Sequence, residues 1–253
     1  MNLSAKKQPI KPVISVGEFE LHLNKNAISV EHFSRWYGEL KVVDNATFYV
    51  RDGELFSLLG IDGDGKTTIF NSLITPHSVI AGKISIFGVE KIDFLNDKKG
   101  VVRQDTELKG EFSVCKNLVL CGKVLGLKGK DLKKAVFDTL NNTDLNLFAK
   151  TKYGKLTLQE KRQVVIASSL LKSPTLLLLD EPTRGLNAHE RQKILIFIRK
   201  LQTQLNLTIF LTTQYLSDAL ASDGVAIIRN GKIKAQGIPS ILKEKNTFEM
   251  FGF

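Results

Sequence analysis

Hydrophobic and polar positions change their period along this chain, and the changes mark its elements. AISVEHF (27–33) and NATFYV (45–50) alternate, as strands in a half-exposed sheet do. ELFSLLG (54–60) is a short apolar run ending in glycine, which fits a buried strand. GKTTIFNSLI (65–74) then takes helical spacing. Residues 105 to about 162 carry eleven lysines and helical patterns such as SVCKNLVLCGKVLGL and KDLKKAVFDTL, which predict a helical subdomain. TLLLLDEP (175–182) predicts a buried strand, because Pro174 and Pro182 leave too few residues for a leucine helix. NAHERQKILIFIRKLQTQL (187–205) predicts an amphipathic helix capped by Asn187, with Glu190 three residues on. LTIFLTT (207–213) is another buried strand, and VAIIRNGKIKAQG (225–237) a hairpin turning at Asn230-Gly231. VISVGEFELHL (13–23) reads as an extended, partly alternating segment behind a flexible arm with two prolines and three lysines. Strands alternating with helices predict an α/β domain over 27–253 behind a basic extension, 1–26.

Chemistry enters at the junction of the run 54–60 and the helix after it. GIDGDGKT (Gly60, Ile61, Asp62, Gly63, Asp64, Gly65, Lys66, Thr67) has the P-loop pattern G-x-x-x-x-G-K-[ST], followed by Thr68. Glycines let backbone N–H groups curl around phosphates, and the helix turns its positive dipole end toward them. Lys66 then reaches the β- and γ-phosphates, and Thr67 offers its hydroxyl to Mg²⁺. The predicted strand before and helix after are the context this pattern needs. Asp62 and Asp64 would repel a triphosphate unless they turn away or face the metal, so both are expected as exposed loop tips. Asp180, at the end of the LLLL strand, is placed to hold the Mg²⁺ shell. Glu181 is placed to orient or deprotonate an attacking water.

The net charge is +10, spread mostly as single lysines without a basic block or an Arg-aromatic alternation. A solvated lysine-rich surface is expected, not a nucleic-acid surface. No apolar run approaches the roughly 18 to 20 residues of a membrane span. The first residues lack the apolar core of a secretory signal, and Asn2 stands where myristoylation needs glycine. An intracellular protein is expected. Cys115 and Cys121, six apart and without nearby histidines, make no zinc pattern.

With Lys66-Thr67, Asp180-Glu181 and a helical insert between them, residues 27 to about 245 resemble the nucleotide-binding subunit of ATP-binding-cassette (ABC) transporters. The spacing looks most like cassettes that export drugs, lipids or polysaccharides. The resemblance implies a P-loop NTPase core with a mixed β-sheet flanked by helices, an antiparallel β subdomain and an inserted α-helical subdomain. It implies that Tyr37 stacks on adenine, with Trp36 as the fallback. It implies that Gln104 touches Mg²⁺ and the attacking water. ATP and Mg²⁺ are then the ligands, and the partners a membrane-spanning permease subunit and a second cassette. The place is the cytoplasmic face of the cell membrane.

The sequence departs from that family at the partner-facing positions. LTLQE (Leu156, Thr157, Leu158, Gln159, Glu160) stands where the family has Leu-Ser-Gly-Gly-Gln. Thr157 and Glu160 fit a capping box, so a helix start is expected in any case. Leu158 and Gln159 replace glycines where a partner's γ-phosphate should approach the backbone. Gln163 fills the slot of the family's arginine, with Arg162 just before it. Gln214 replaces the family's histidine and is a neutral donor to the γ-phosphate. Asn187 replaces an aspartate that acts across the dimer interface. Two readings follow: an ATPase subunit working slowly or with a more typical partner, or a regulatory cassette that closes on ATP but hardly hydrolyses it. A soluble cassette acting on nucleic acid or ribosomes is the third reading. Chains of that kind usually hold two cassettes or a long coiled-coil insert, and this chain has neither.

Overall fold

A computed structural model describes residues 26–75, 80–90, 95 and 97–253. The expected segments over 1–12 and 13–23 lie outside the described residues. Among those described there are nine strands and eight α-helices. Three strands, β1 (Asn26–Tyr37), β2 (Leu40–Arg51) and β4 (Ile80–Ile86), form an antiparallel sheet in the order β2-β1-β4. The other six are β3 (Leu55–Leu59), β5 (Lys99–Val102), β6 (Leu176–Asp180), β7 (Thr208–Thr213), β8 (Gly224–Arg229) and β9 (Lys232–Gly237). They form a sheet in the order β5-β6-β7-β3-β8-β9, parallel except for β9.

The apolar runs are strands because both faces of this sheet are covered. In β6, Leu177 and Leu179 face the core beneath the helices, while Leu176 and Leu178 face the core beneath the antiparallel sheet. Such a strand shows no polar alternation, so β3, β6 and β7 read as continuous apolar runs. The rings of Phe48 (β2), Phe56 (β3) and Phe210 (β7) stack with centroids 6.0–6.2 Å apart and join the two sheets.

Between β5 and β6 the chain is helical. It contains α2 (Val114–Val124), α3 (Gly129–Asn142) and α4 (Leu158–Ser168). Beyond β6 come α5 (Ala188–Leu205), α6 (Leu216–Leu220), α7 (Pro239–Glu244) and α8 (Thr247–Met250), while α1 (Lys66–Ile74) follows β3. Capping boxes open α4, on Thr157 and Glu160, and α5, on Asn187 and Glu190. The β8–β9 hairpin turns on Asn230 (φ 49°) and Gly231 (φ 74°), the left-handed pair that a two-residue turn needs. The first strand runs past the alternating segment 27–33 as far as Tyr37. It does so through register shifts against β2 and β4, with His32 at φ 51°.

Candidate phosphate and hydrolysis site

In a sheet of parallel strands the loops after the strand ends gather at one edge, where open α/β sheets bind ligands. Four predicted site segments meet there because Leu59 pairs with Thr213, Asp180 with Thr212, and Val102 with Leu179. The phosphate loop follows β3, Gln104 follows β5, Asp180 ends β6, and Gln214 follows β7.

The loop Gly60–Gly65 leaves β3 tethered by the Gly60 N–H, which donates to the Thr213 carbonyl at 3.1 Å. Gly63 and Gly65 stand at φ 88° and 98°, a region that favours glycine. Gly65 also faces the Val42 carbonyl so closely that a Cβ there would come within 3.1 Å of it. Helix α1 starts at Lys66 with no acidic residue in its first turn, so its N-terminal dipole is left to an anion. Thr67 is exposed at the helix start, and Thr68 is buried against the core side.

Lys66 and Glu181 are brought together. The Lys66 ammonium lies 2.9 Å from Glu181 Oε1 and donates to the Ile61 carbonyl at 3.1 Å, and both side chains are only 4% exposed. Glu181 stands at φ 46°, unusual for a non-glycine residue and the kind of backbone found at functional sites. Its N–H donates to Thr212 Oγ1 at 3.0 Å, and the same hydroxyl donates to Asp180 Oδ1 at 2.6 Å. Thr67 Oγ1 lies 3.4 Å from Asp180 Oδ2. Burial pushes the Asp180 carboxyl above its ordinary range, and the Glu181 charge adds to this; bonds from Thr212 and Thr67 and the Lys66 charge pull the other way. A hydroxyl and a desolvated carboxylate side by side are hard oxygen donors of the kind Mg²⁺ takes alongside substrate phosphate oxygens and water.

The two loop aspartates part company. Asp62 is exposed, as expected, with its carboxylate forked by Arg184 at 3.2 and 3.1 Å. Asp64 corrects the expectation of an exposed loop tip, because it is buried. Its carboxylate accepts from the N–H groups of Ile61 (2.8 Å) and Asn230 (2.9 Å) and from Arg229 Nη1 (3.2 Å). It is turned away from the cradle and stitches the loop to the β8–β9 hairpin.

The remaining predicted residues lie around this centre. Tyr37 is exposed at the end of β1, with the Arg35 guanidinium 5.3 Å from its ring centroid. Trp36, beside it, has the Lys41 ammonium 5.0 Å from its ring. The β1–β2 turn that carries them leads into Val42 and Val43, which press on Gly65. Gln104 is exposed, and its carbonyl accepts from Arg162 at 3.5 Å. Gln214 is half-buried. Thr157 caps α4, and Leu158, Gln159 and Glu160 open its first turn. The Leu158 side chain is 48% exposed and lies beside Gly185 in the turn after Glu181.

Arg184, Thr212, Arg229 and Asn230 are site residues that the motifs do not single out. Arg184 carries a local signal, a cation three residues after Glu181. Thr212 carries another, a hydroxyl within an apolar strand. Arg229 and Asn230 reach Asp64 only through the fold.

The family model described as "ABC transporter" matches residues 43–184. The "Nod factor export ATP-binding protein I" of Rhizobium sp. (strain N33) is 32% identical over 238 residues, 91% of this chain and 78% of that protein. The protein of the same name from Neorhizobium galegae is 33% identical over 248 residues, 95% of this chain and 71% of that protein. Among solved structures, cbiO1 from Clostridium perfringens, part of the ABC transporter complex cbiONQ, superposes with TM-score 0.80 at 24% identity, covering 89% of this chain and 94% of that one. The ATP-binding cassette MJ0796, in a dimeric post-hydrolysis state bound to ADP and Pi, gives TM-score 0.69 at 20% identity, covering 84% and 98%. At these identities the structural matches speak for the fold.

Proposed function

This chain belongs to the ABC transporter family, as an ATP-binding subunit, and from that premise we propose that it energises export through a separate membrane-spanning permease. The observation that carries the catalytic part is the convergence of buried Lys66, Glu181 and Asp180 with Thr67 at the start of α1. Export is taken from the relatives, which are named for it. The domain spans 27–253, with the helical subdomain at about 105–162, docked on the cytoplasmic side of the cell membrane. No helix among the described residues is long and apolar enough to cross a membrane.

In this reading the N–H groups of residues 60–68 and the α1 dipole bind the ATP phosphates, and Tyr37 stacks on the adenine. Lys66 moves from Glu181 to the phosphate oxygens. Thr67, Asp180 and Gln104 would hold Mg²⁺, which would supply charge neutralisation for the phosphates. Glu181, freed of Lys66, orients the attacking water, and Gln214 donates a neutral hydrogen bond to the γ-phosphate. A second cassette faces the site, and Thr157–Glu160 of this chain reach the partner's phosphate loop.

A second reading, a cassette that closes on ATP but turns over poorly, is favoured by one observation. Leu158 projects from the first turn of α4, where a phosphate-gripping backbone would be bare. Losing one aligned donor to a developing charge costs about 10²- to 10³-fold in rate. One assay serves both readings: ATP hydrolysis by the purified chain, alone and with its permease, against Glu181→Gln. Turnover abolished by the substitution is expected. No Glu181-dependent turnover in either form would sink the first reading, and a brisk rate for the chain alone would sink the second.

A further inference from the structure

Glu181 carries two cations in this structure, one on each oxygen. Lys66 Nζ lies 2.9 Å from Oε1, and Arg184 Nη1 lies 2.9 Å from Oε2. Lys66 is the group that nucleotide phosphates draw away. Glu181 then remains a nearly buried carboxylate, between the Asp180 carboxylate and the phosphates. A buried charge stripped of its partner is strongly disfavoured.

Arg184 is placed to prevent this. It sits on the turn after β6, three residues from Glu181, on the oxygen that Lys66 does not use. The same Nη1 also donates to Asp62 Oδ1 of the phosphate loop at 3.2 Å, and Nη2 donates to Asp62 Oδ2 at 3.1 Å. Planar fork geometry of this kind fixes direction as well as charge. One guanidinium thus spans both loops that flank the cradle. Without nucleotide, Lys66 and Arg184 balance Glu181 and Asp62. Once Lys66 turns to phosphate, Arg184 is the cation left on Glu181.

We propose that Arg184 is a positioning residue that holds the Glu181 carboxylate in place when Lys66 leaves it for the nucleotide. This rests on the reading of the site as one for ATP. It assigns Arg184 no contact with phosphate: its effect on nucleotide binding passes through the charge of Glu181.

A double-mutant cycle on binding, not hydrolysis, tests it. The affinity for a fluorescent ATP analogue with Mg²⁺ is measured for the wild type, Arg184→Ala, Glu181→Gln and the double variant. In the wild-type background Arg184→Ala is expected to weaken binding roughly fivefold or more, a coupling of ordinary size. In the Glu181→Gln background, where only the exposed Asp62 carboxylate is left for Arg184 to balance, the same change is expected to matter less than about twofold. Arg184→Lys, which keeps the charge, should recover most of the loss, and thermal melting of each variant separates binding from folding. Equal weakening in both backgrounds would overturn the proposal in favour of direct phosphate contact. No weakening in either would overturn it as well. A wild type that fails to bind the analogue removes the ATP reading and the proposal together, whereas normal wild-type binding with a flat cycle removes the proposal alone.

Discussion

At the scale of single residues, Asp64 shows how a carboxylate sits within a phosphate-binding loop without opposing the phosphate. Its charge is spent on two backbone N–H groups and Arg229, on the side of the loop away from the cradle. Arg229 is held in turn by the Phe251 carbonyl at 2.8 Å and 2.6 Å. Asp64→Ala leaves two backbone N–H donors and a part-buried guanidinium without their acceptor. It should cost about 3 kcal/mol of stability, the scale for breaking one side of a buried charged contact. Urea unfolding measures this, and an unmoved midpoint would mean that the stitch does not bear on stability. The P-loop spacing around Asp64 was legible in the sequence, because phosphate binding there depends on local backbone shape. The direction of Asp64 was not, since its partner Arg229 is 165 residues away. Arg184 was missed for a different reason. The motif describes what phosphate needs, and a cation on Glu181 is needed only once Lys66 has two claims on it.

Among the elements, local signals were read well and distant pairings poorly. The starts of α4 and α5 follow from Thr157/Glu160 and Asn187/Glu190, pairs within one turn. The buried strands β3, β6 and β7 follow from apolar runs too short for helices. The irregular β1, with its shifts against two partners, and the strands β4 and β5 depend on neighbours that periodicity does not name. Asp223, just before β8, is a further case of distant pairing. It accepts from the Leu55 N–H of β3 at 2.9 Å and from Arg199 of α5 at 2.7 and 2.8 Å, with Gln202 Nε2 at 3.0 Å. Partial burial alone would raise its carboxyl, but the Leu55, Arg199 and Gln202 bonds outweigh this and hold it below the ordinary value. A carboxyl lowered in the fold lends stability above its unfolded value, near 3.9, and loses it as pH falls through the folded value. Asp223→Asn should therefore lower Tm at pH 7 and converge on the wild type in strong acid. Melting curves across pH check this, and a Tm gap unchanged from neutral pH to strong acid would assign the effect to shape, not charge.

For the whole molecule, the motif-matching and the altered segments sit on different elements. Lys66, Thr67, Asp180 and Glu181 converge within this chain, while Thr157, Leu158, Gln159 and Glu160 stand at the start of α4. On the proposed function, a chain of this design would bind ATP by itself but offer a weak surface to a second copy. In that reading, closure around ATP would depend on what each partner contributes to the other's phosphates, and a ligand shifts such an equilibrium only by its differential affinity for the closed state. The leucine and glutamine side chains at 158 and 159 subtract from that difference, twice over in a homodimer. In the Glu181→Gln background, where ATP is not consumed, the otherwise unchanged chain should remain largely monomeric with ATP and Mg²⁺. Adding Leu158→Gly and Gln159→Gly should shift it to dimer by a factor of roughly ten or more, within the range of a single allosteric coupling. The Thr157–Glu160 capping box still starts α4 in that variant, although two glycines in the first turn cost up to about 2 kcal/mol of helix propensity. Sedimentation velocity with and without nucleotide decides the matter. Tight ATP-dependent dimers of the otherwise unchanged chain would show that the bulky turn is accommodated and that this cassette pairs with itself. A monomer even after both glycines are restored would point to a partner cassette of different sequence.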